Sequence, residues 1–308
     1  MQTKKRSAIA LLVTVLFVMA ITVGIGIGLK DMKNASKDVE DERFMFQSAV
    51  VLEDVLSLLK SSLELEELSE ASAIEEFASF LSQTQLIPLE VGDMKVFVKT
   101  LSARGKFNIN ALQDSNATLH AQRADALQAY LQKSRINPEY TAFLRDAMGG
   151  IKEDASYNTR MFYEKPYLYR DYVASLKHLW QINDAYMQQY HDASIKNVNF
   201  KELFSFHKGR NAKIDLNYAT PSTWMLLLGI DEESANVLTK KTHLYSSYED
   251  LPILDEKKAL LQAGVFETSF FEPYVDVEVT MKQGDKTAKI LFEYDIKNKK
   301  GSNFVYEI

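Results

Sequence analysis

The side chains best suited to chemistry are scattered in this chain. Five histidines, His120, His178, His191, His207 and His243, show no His-x-x-x-His pairing or other metal-ligand spacing. With no cysteine present, neither a disulfide framework nor a thiolate zinc site is possible. No Gly-x-Ser-x-Gly elbow and no P-loop occurs. Gly24, Gly26 and Gly28 fall inside an apolar run, where a dinucleotide loop would lack its preceding strand and its water-facing helix start. Their spacing suits close helix packing or local melting of a helix. These residue types predict a protein that is not an enzyme.

The elements that carry them point to a membrane. Lys4, Lys5 and Arg6 precede an uncharged, mostly apolar run from Ile9 to Leu29. As a helix at about 1.5 Å per residue this run is roughly 31 Å long, matching a bilayer's hydrocarbon core. The three cations keep the first eight residues cytoplasmic, so everything after Lys30 lies outside the cytoplasm. The run is longer than the apolar region of a signal peptide, and no Ala-x-Ala pattern follows it. Beyond it Met45, Ala49, Leu52, Leu56, Leu59 and Leu63 recur at spacings of four and three, which sets them on one helical stripe and extends the helix beyond the bilayer. A short leader, an apolar helix and an amphipathic continuation are together the plan of a type IV pilin-like subunit.

At 308 residues, 46% hydrophobic and 25% charged, the chain is long enough for one large or two modest domains beyond the anchor. Its net charge of −6 argues against general polyanion binding, which relies on Lys and Arg neutralising phosphates. No linker of low complexity and no fixed-period repeat is visible. Helix is predicted from Asp31 to about Leu68 and from Ile74 to Leu81, and a strand from Met94 to Leu101, where Met94, Val96 and Val98 alternate with Lys95, Phe97 and Lys99. Phe107 and Ile109 share a face of a short strand after a turn at Arg104 and Gly105. Helices follow at Ala121 to Gln132, Pro138 to Ala147 and Tyr172 to Gln189. Strands return at Val275 to Met281, Lys289 to Ile296 and Phe304 to Ile308, so a sheet is interrupted by a helical insertion. Within that insertion Thr220 caps a helix with Pro221 at its first position, Gly229 closes it, and Asp231, Glu232 and Glu233 open the next. Ser247 and Asp250 form an approximate capping box. These short helices are close to a helix-hairpin-helix or sterile-alpha-motif-like module.

The basic leader with Ile9-Ala10-Leu11-Leu12, the segment Gly105-Lys106-Phe107-Asn108-Ile109-Asn110-Ala111-Leu112, and the segment Lys213-Ile214-Asp215-Leu216-Asn217-Tyr218-Ala219-Thr220-Pro221 occur in that order. Together with Tyr245 to Leu251 they make the chain resemble the type II secretion protein K family, the large minor pseudopilins. The resemblance implies an α+β fold: a type IV pilin-like long N-terminal helix and small antiparallel sheet, carrying a large all-α insertion. Its divisions would be a leader at 1–8, a transmembrane helix at 9–29, a pilin-like domain at 30–112 and 266–308, and the insertion at 113–265. It also implies a place in the bacterial inner membrane with the bulk in the periplasm, and a role in initiating and capping a pseudopilus tip. The implied partners are the I-type and J-type minor pseudopilins, the inner-membrane secretion platform and prepilin peptidase, which would cut between Ala8 and Ile9. Ala8 stands where such leaders normally end in Gly.

With Ile9 as mature N-terminus, the fifth residue is Val13, where ordinary pilins carry Glu. A charge deep in a bilayer costs about 2.5–3.5 kcal/mol on insertion scales, offset in ordinary subunits by the terminal amine of the subunit ahead. A subunit with none ahead is better served by an apolar side chain, so Val13 favours tip placement. The stripe from Met45 to Leu63 would pack on partner helices. The family ties some acids after its first inserted helix to calcium, and Asp146, Glu153 and Asp154 could supply oxygen ligands here. The alternative is a membrane-anchored extracytoplasmic helix-hairpin-helix DNA-binding protein. The turn Leu228-Gly229-Ile230-Asp231-Glu232-Glu233 argues against it by setting three acids where phosphate would approach.

Overall fold

The computed structural model describes residues 38–68, 73–113, 120–241 and 243–307. The leader, the span 9–29 and the residues Ala8, Ile9 and Val13 lie outside the described residues. Among the described residues no helix is long and apolar enough to cross a membrane. The chain forms two compact units, one of Met1–Val55 with Gln283–Lys286, the other of Leu56–Lys282 with Thr287–Ile308. In the first, helix α1 (residues 38–61) supplies Asp41, which pairs with Lys286 at 2.8 Å. Lys286 follows a tight turn at Gly284, whose φ of 61° is left-handed and favours glycine.

In the second unit the helix predicted to run unbroken to Leu68 stops at 61. The Ser62 hydroxyl accepts the Leu65 N–H and starts α2 (Leu63–Glu67) afresh. Helix α3 (Ile74–Gln83) leads into the sheet, whose strands are β1 (Ile87–Val91), β2 (Met94–Ser102), β7 (Tyr274–Gln283), β8 (Lys286–Asp295) and β9 (Lys300–Glu307), in the order β1-β2-β7-β8-β9. The pairs β1–β2, β2–β7 and β8–β9 are antiparallel. On β2 the buried side chains are Met94, Val96, Val98 and Thr100, and Val96, Val98 and Thr100 lie opposite Met281, Val279 and Val277 of β7. This is the period-two pattern read from the sequence. Strand β1, which the sequence reading did not include, carries Pro88 and lies at the sheet edge, where proline is tolerated.

The helices between β2 and β7 are α4 (Ala121–Gln132), α5 (Tyr140–Met148), α6 (Met161–Glu164), α7 (Leu176–Tyr190), α8 (Phe200–Leu203), α9 (Pro221–Leu228), α10 (Glu232–Thr239) and α11 (Asp255–Gln262). The expected all-α insertion needs one correction. Strand β3 (Phe107–Asn108) pairs in parallel with β4 (Phe204–Ser205), and β5 (Ile214–Asp215) with β6 (Thr268–Ser269). Pairs of two residues carry no readable alternation, since their partners come from far along the chain. One apolar core runs from Phe107 to Phe266 and includes Leu127, Phe143, Tyr186 and the fully buried Trp224.

Each parallel pair is locked by the same device. Asn110 donates to the carbonyls of Val173 (3.0 Å) and His207 (2.9 Å) while its oxygen accepts the Val173 N–H (2.7 Å). Asn217 donates to the carbonyls of Tyr245 (2.8 Å) and Phe270 (2.7 Å) while its oxygen accepts the Tyr245 N–H (2.8 Å). Two residues earlier, Asn108 and Asp215 each accept the N–H of the clamping asparagine. The insertion is thus built twice on one plan, a correspondence that shows no fixed period in the sequence. The two copies meet at Gly105. Its carbonyl accepts the Thr220 N–H and the Thr223 hydroxyl, and a Cβ there would lie 2.1 Å from the Tyr218 carbonyl oxygen.

Asn217→Ala is expected to lower unfolding free energy by about 3 kcal/mol or more, since each stranded buried group costs about 1–3 kcal/mol. Gly105→Ala should cost about 2 kcal/mol through overpacking. Urea unfolding followed by tryptophan fluorescence measures both, because Trp180 and Trp224 are the chain's two tryptophans and both sit in the insertion.

Candidate functional site

On helix α1 the buried residues are Phe44, Ser48, Val51, Leu52 and Val55. The expected stripe lies along the border of this face rather than on a free surface. Leu52 is buried, Leu56 and Leu59 are half-buried, and Met45, Ala49 and Leu63 are exposed, Leu63 to 77%. The exposed apolar side of the helix instead carries Val39, Met45, Phe46 and Val50, with Phe46 71% exposed. Val39, Phe46 and Val50 follow spacings of seven and four, a signal present in the sequence but interleaved with Glu42, Arg43 and Glu53.

A buried charge cluster joins the sheet to the insertion. Glu293 of β8 takes Arg104 at both carboxylate oxygens, Nη2 to Oε1 at 3.0 Å and Nη1 to Oε2 at 2.9 Å, and His207 Nδ1 lies 2.8 Å from Oε2. Arg104 also stacks 3.9 Å from the centre of the Tyr274 ring. Nothing in the sequence joins these residues, because their separations along the chain leave no pattern.

The second buried cluster surrounds Asp215. Its carboxylate accepts the N–H groups of Asn217 (2.9 Å) and Glu272 (3.0 Å), yet burial pushes it up to about 7. Lys241, which donates to the Asn217 side-chain oxygen at 2.7 Å, is lowered by burial to about 8.

The acids considered for calcium do not form an open ligand set. Asp146 is fully buried in α5, and both its oxygens are taken: one accepts the Asn158 N–H and side-chain amide, the other the Thr159 N–H and hydroxyl. It anchors the loop that follows α5. Asp154 is exposed and accepts from Ser156, and Glu153 is exposed beside it. Among the described residues no group of three or more His, Cys, Asp or Glu side chains is placed to hold a metal.

Two of the other histidines serve local structure. His120 caps α4 by accepting the Arg123 N–H, and His178 accepts the Ala174 N–H. At the α9–α10 hairpin the predicted caps are present: the Thr220 hydroxyl accepts the Thr223 N–H, and Gly229 is left-handed at φ 65°. Asp231 fills the start of α10 by accepting the Ser234 N–H at 2.8 Å. Lys133 and Lys257 bind the carbonyls of Ile230 and Leu228. A phosphate at this turn would meet a carboxylate already in its place, and the nearest cations engaged.

Since folded Asp215 holds its proton more tightly than an unfolded aspartate near 3.9, the folded state binds more protons between about pH 4 and about pH 7. Its contribution to stability is present below that window and lost as pH rises through it. Asp215→Asn should therefore show a smaller fall in urea midpoint between about pH 4 and about pH 7.5 than the native chain.

No family model and no curated protein matches the chain. Among solved structures it is similar to a chain of the GspK-GspI-GspJ complex from the enterotoxigenic Escherichia coli type 2 secretion system. The TM-score is 0.53 at 14% sequence identity, covering 87% of this chain and 96% of that one. The likeness is one of fold, a mixed helical and antiparallel-sheet architecture shared along most of both chains.

Proposed function

We propose that the protein is a minor pseudopilin of a type II secretion system, of the K type. The observation that carries this reading is the fold likeness to a chain of the GspK-GspI-GspJ complex over 87% of its length, on a chain that begins with a basic leader and a bilayer-length apolar run. Residues 9–29 anchor it in the inner membrane, prepilin peptidase cuts between Ala8 and Ile9, and the bulk lies in the periplasm. The exposed apolar side of α1 packs on the helices of I-type and J-type pseudopilins at the start of the bundle. Val13, with no subunit ahead, needs no ion-pair partner in the membrane. The insertion caps the tip by its bulk. The carboxylate already seated at the α9–α10 turn favours a protein-contact module over DNA binding.

Two kinds of variant separate assembly from folding. Phe46→Glu with Val50→Glu should abolish co-purification with the I-type and J-type partners while leaving the urea midpoint unchanged, since both side chains are exposed. Leu52→Asp should instead lower stability by about 3 kcal/mol through an unpaired buried charge. Full recovery of the complex with the Phe46 and Val50 double variant would remove α1 from the interface. An intact Met1 on N-terminal sequencing of the membrane-extracted protein would replace the pilin route with a plain signal anchor.

A further inference from the structure

A cleft of about 730 Å³ opens within the second unit where the sheet meets the connector between the two modules of the insertion, residues 207–213. Its volume is that of ligand-binding clefts, which form at such junctions. The charges that line it balance. Arg210 has an interaction of its own, and the cations Arg104, Lys208 and Lys213 are matched in number by the acids Glu293, Asp171 and Glu272. Glu293 takes Arg104 at both oxygens, and Asp171 pairs with Lys208 at 3.2 Å. An ionic ligand would meet both signs at once, with no net charge to favour it. The rest of the lining is largely uncharged. Asn211, Ser302 and Asn303 supply hydrogen-bond donors and acceptors, and Tyr172 and Tyr274 supply half-buried rings. Both rings are held in advance: Arg104 lies 3.9 Å from the centre of Tyr274, and Tyr169 meets Tyr172 edge-on at 5.4 Å. Tyr169, itself 47% exposed, extends the aromatic surface beyond the lining.

We propose that this cleft binds an uncharged oligosaccharide. A pyranose ring has a flat face of C–H bonds and a rim of hydroxyls, each both donor and acceptor. The face suits the tyrosine rings, and the hydroxyls suit Asn211, Ser302 and Asn303. Carboxylates already paired with cations can still accept from a hydroxyl through their spare lone pairs. A peptide fits less well. It would be recognised by extending the sheet edge, yet β9 leaves the extended conformation at Asn303 (φ 55°) and slips register against β8 between Leu291 and Glu293. Among the described residues that line the cleft, none is an aliphatic side chain larger than Ala212, so a peptide's apolar side chains would find no pocket. The site goes beyond the assembly reading and stands without it, because binding is measured on the chain by itself.

Saturation-transfer NMR of tetra-N-acetylchitotetraose and of cellotetraose, with the full chain in a detergent that carries no sugar headgroup, tests this. Saturable binding of either sugar supports the site, and which of them binds tells an acetamido-sugar glycan from a plain glucan. Tyr172→Ala should raise the dissociation constant about fivefold and Asn211→Ala about threefold, in keeping with one lost ring contact and one lost hydrogen bond. Asn211 is exposed, so its variant is expected to keep the native urea midpoint. Tyr163→Ala, at an exposed ring outside the lining, should leave binding unchanged. The affinity should be the same at low and high salt, since the ligand carries no charge to screen. The proposal is overturned if neither sugar binds saturably, if the Tyr172→Ala and Asn211→Ala chains bind as well as the native one, or if the affinity falls with salt. Tetraglycine binding more tightly than the sugars would also overturn it.

Discussion

Two buried carboxamides, Asn110 and Asn217, hold the insertion in register. A carboxamide is both donor and acceptor, so one asparagine can close a site where three backbone groups from two distant segments meet. Val173 with His207, and Tyr245 with Phe270, are brought together in this way. Each clamp fixes a two-residue parallel strand too short to hold itself by ladder bonds. The helices that follow each clamp then pack into one apolar core. Gly105 lets the two copies approach so closely that only a hydrogen atom fits between its Cα and the Tyr218 carbonyl.

The sheet is tied to this double module by charge rather than by apolar contact alone. Arg104 leaves the β2 end of the sheet, Glu293 stands on β8, and His207 closes the first module. Removing one partner would leave a buried charge uncompensated, which is far more costly than the pair is favourable. The same arrangement leaves the connector, residues 207–213, beside the sheet.

Helix α1 carries apolar side chains on more than one side. The spacings of four and three mark the stripe through Leu52, Leu56 and Leu59. The buried face instead includes Phe44 and Ser48, and the exposed apolar side includes Phe46 and Val50. A helix with apolar residues on more than one side has no unique moment direction, and only neighbours in space decide which side is covered.

Much of the fold was legible by itself. The strands from Met94 and from Val275 were visible because one-sided burial imposes period two, and α4 because its turns repeat locally. The caps at Thr220, Gly229 and Asp231 could be read because capping is a contact between residues three or four apart. The order of strands, helices and strands was likewise written in the chain, as was the absence of any thiol chemistry. What only the tertiary structure decided was every feature made across long separations: the strand at Ile87, whose proline is harmless only at an edge, the parallel pairs, the asparagine clamps, the Arg104, Glu293 and His207 cluster, and the hydrogen bonds that tie Asp146 to Asn158 and Thr159. Local spacing constrains neighbours along a turn or a strand, whereas a buried polar group must find its partner wherever the packed chain happens to bring one.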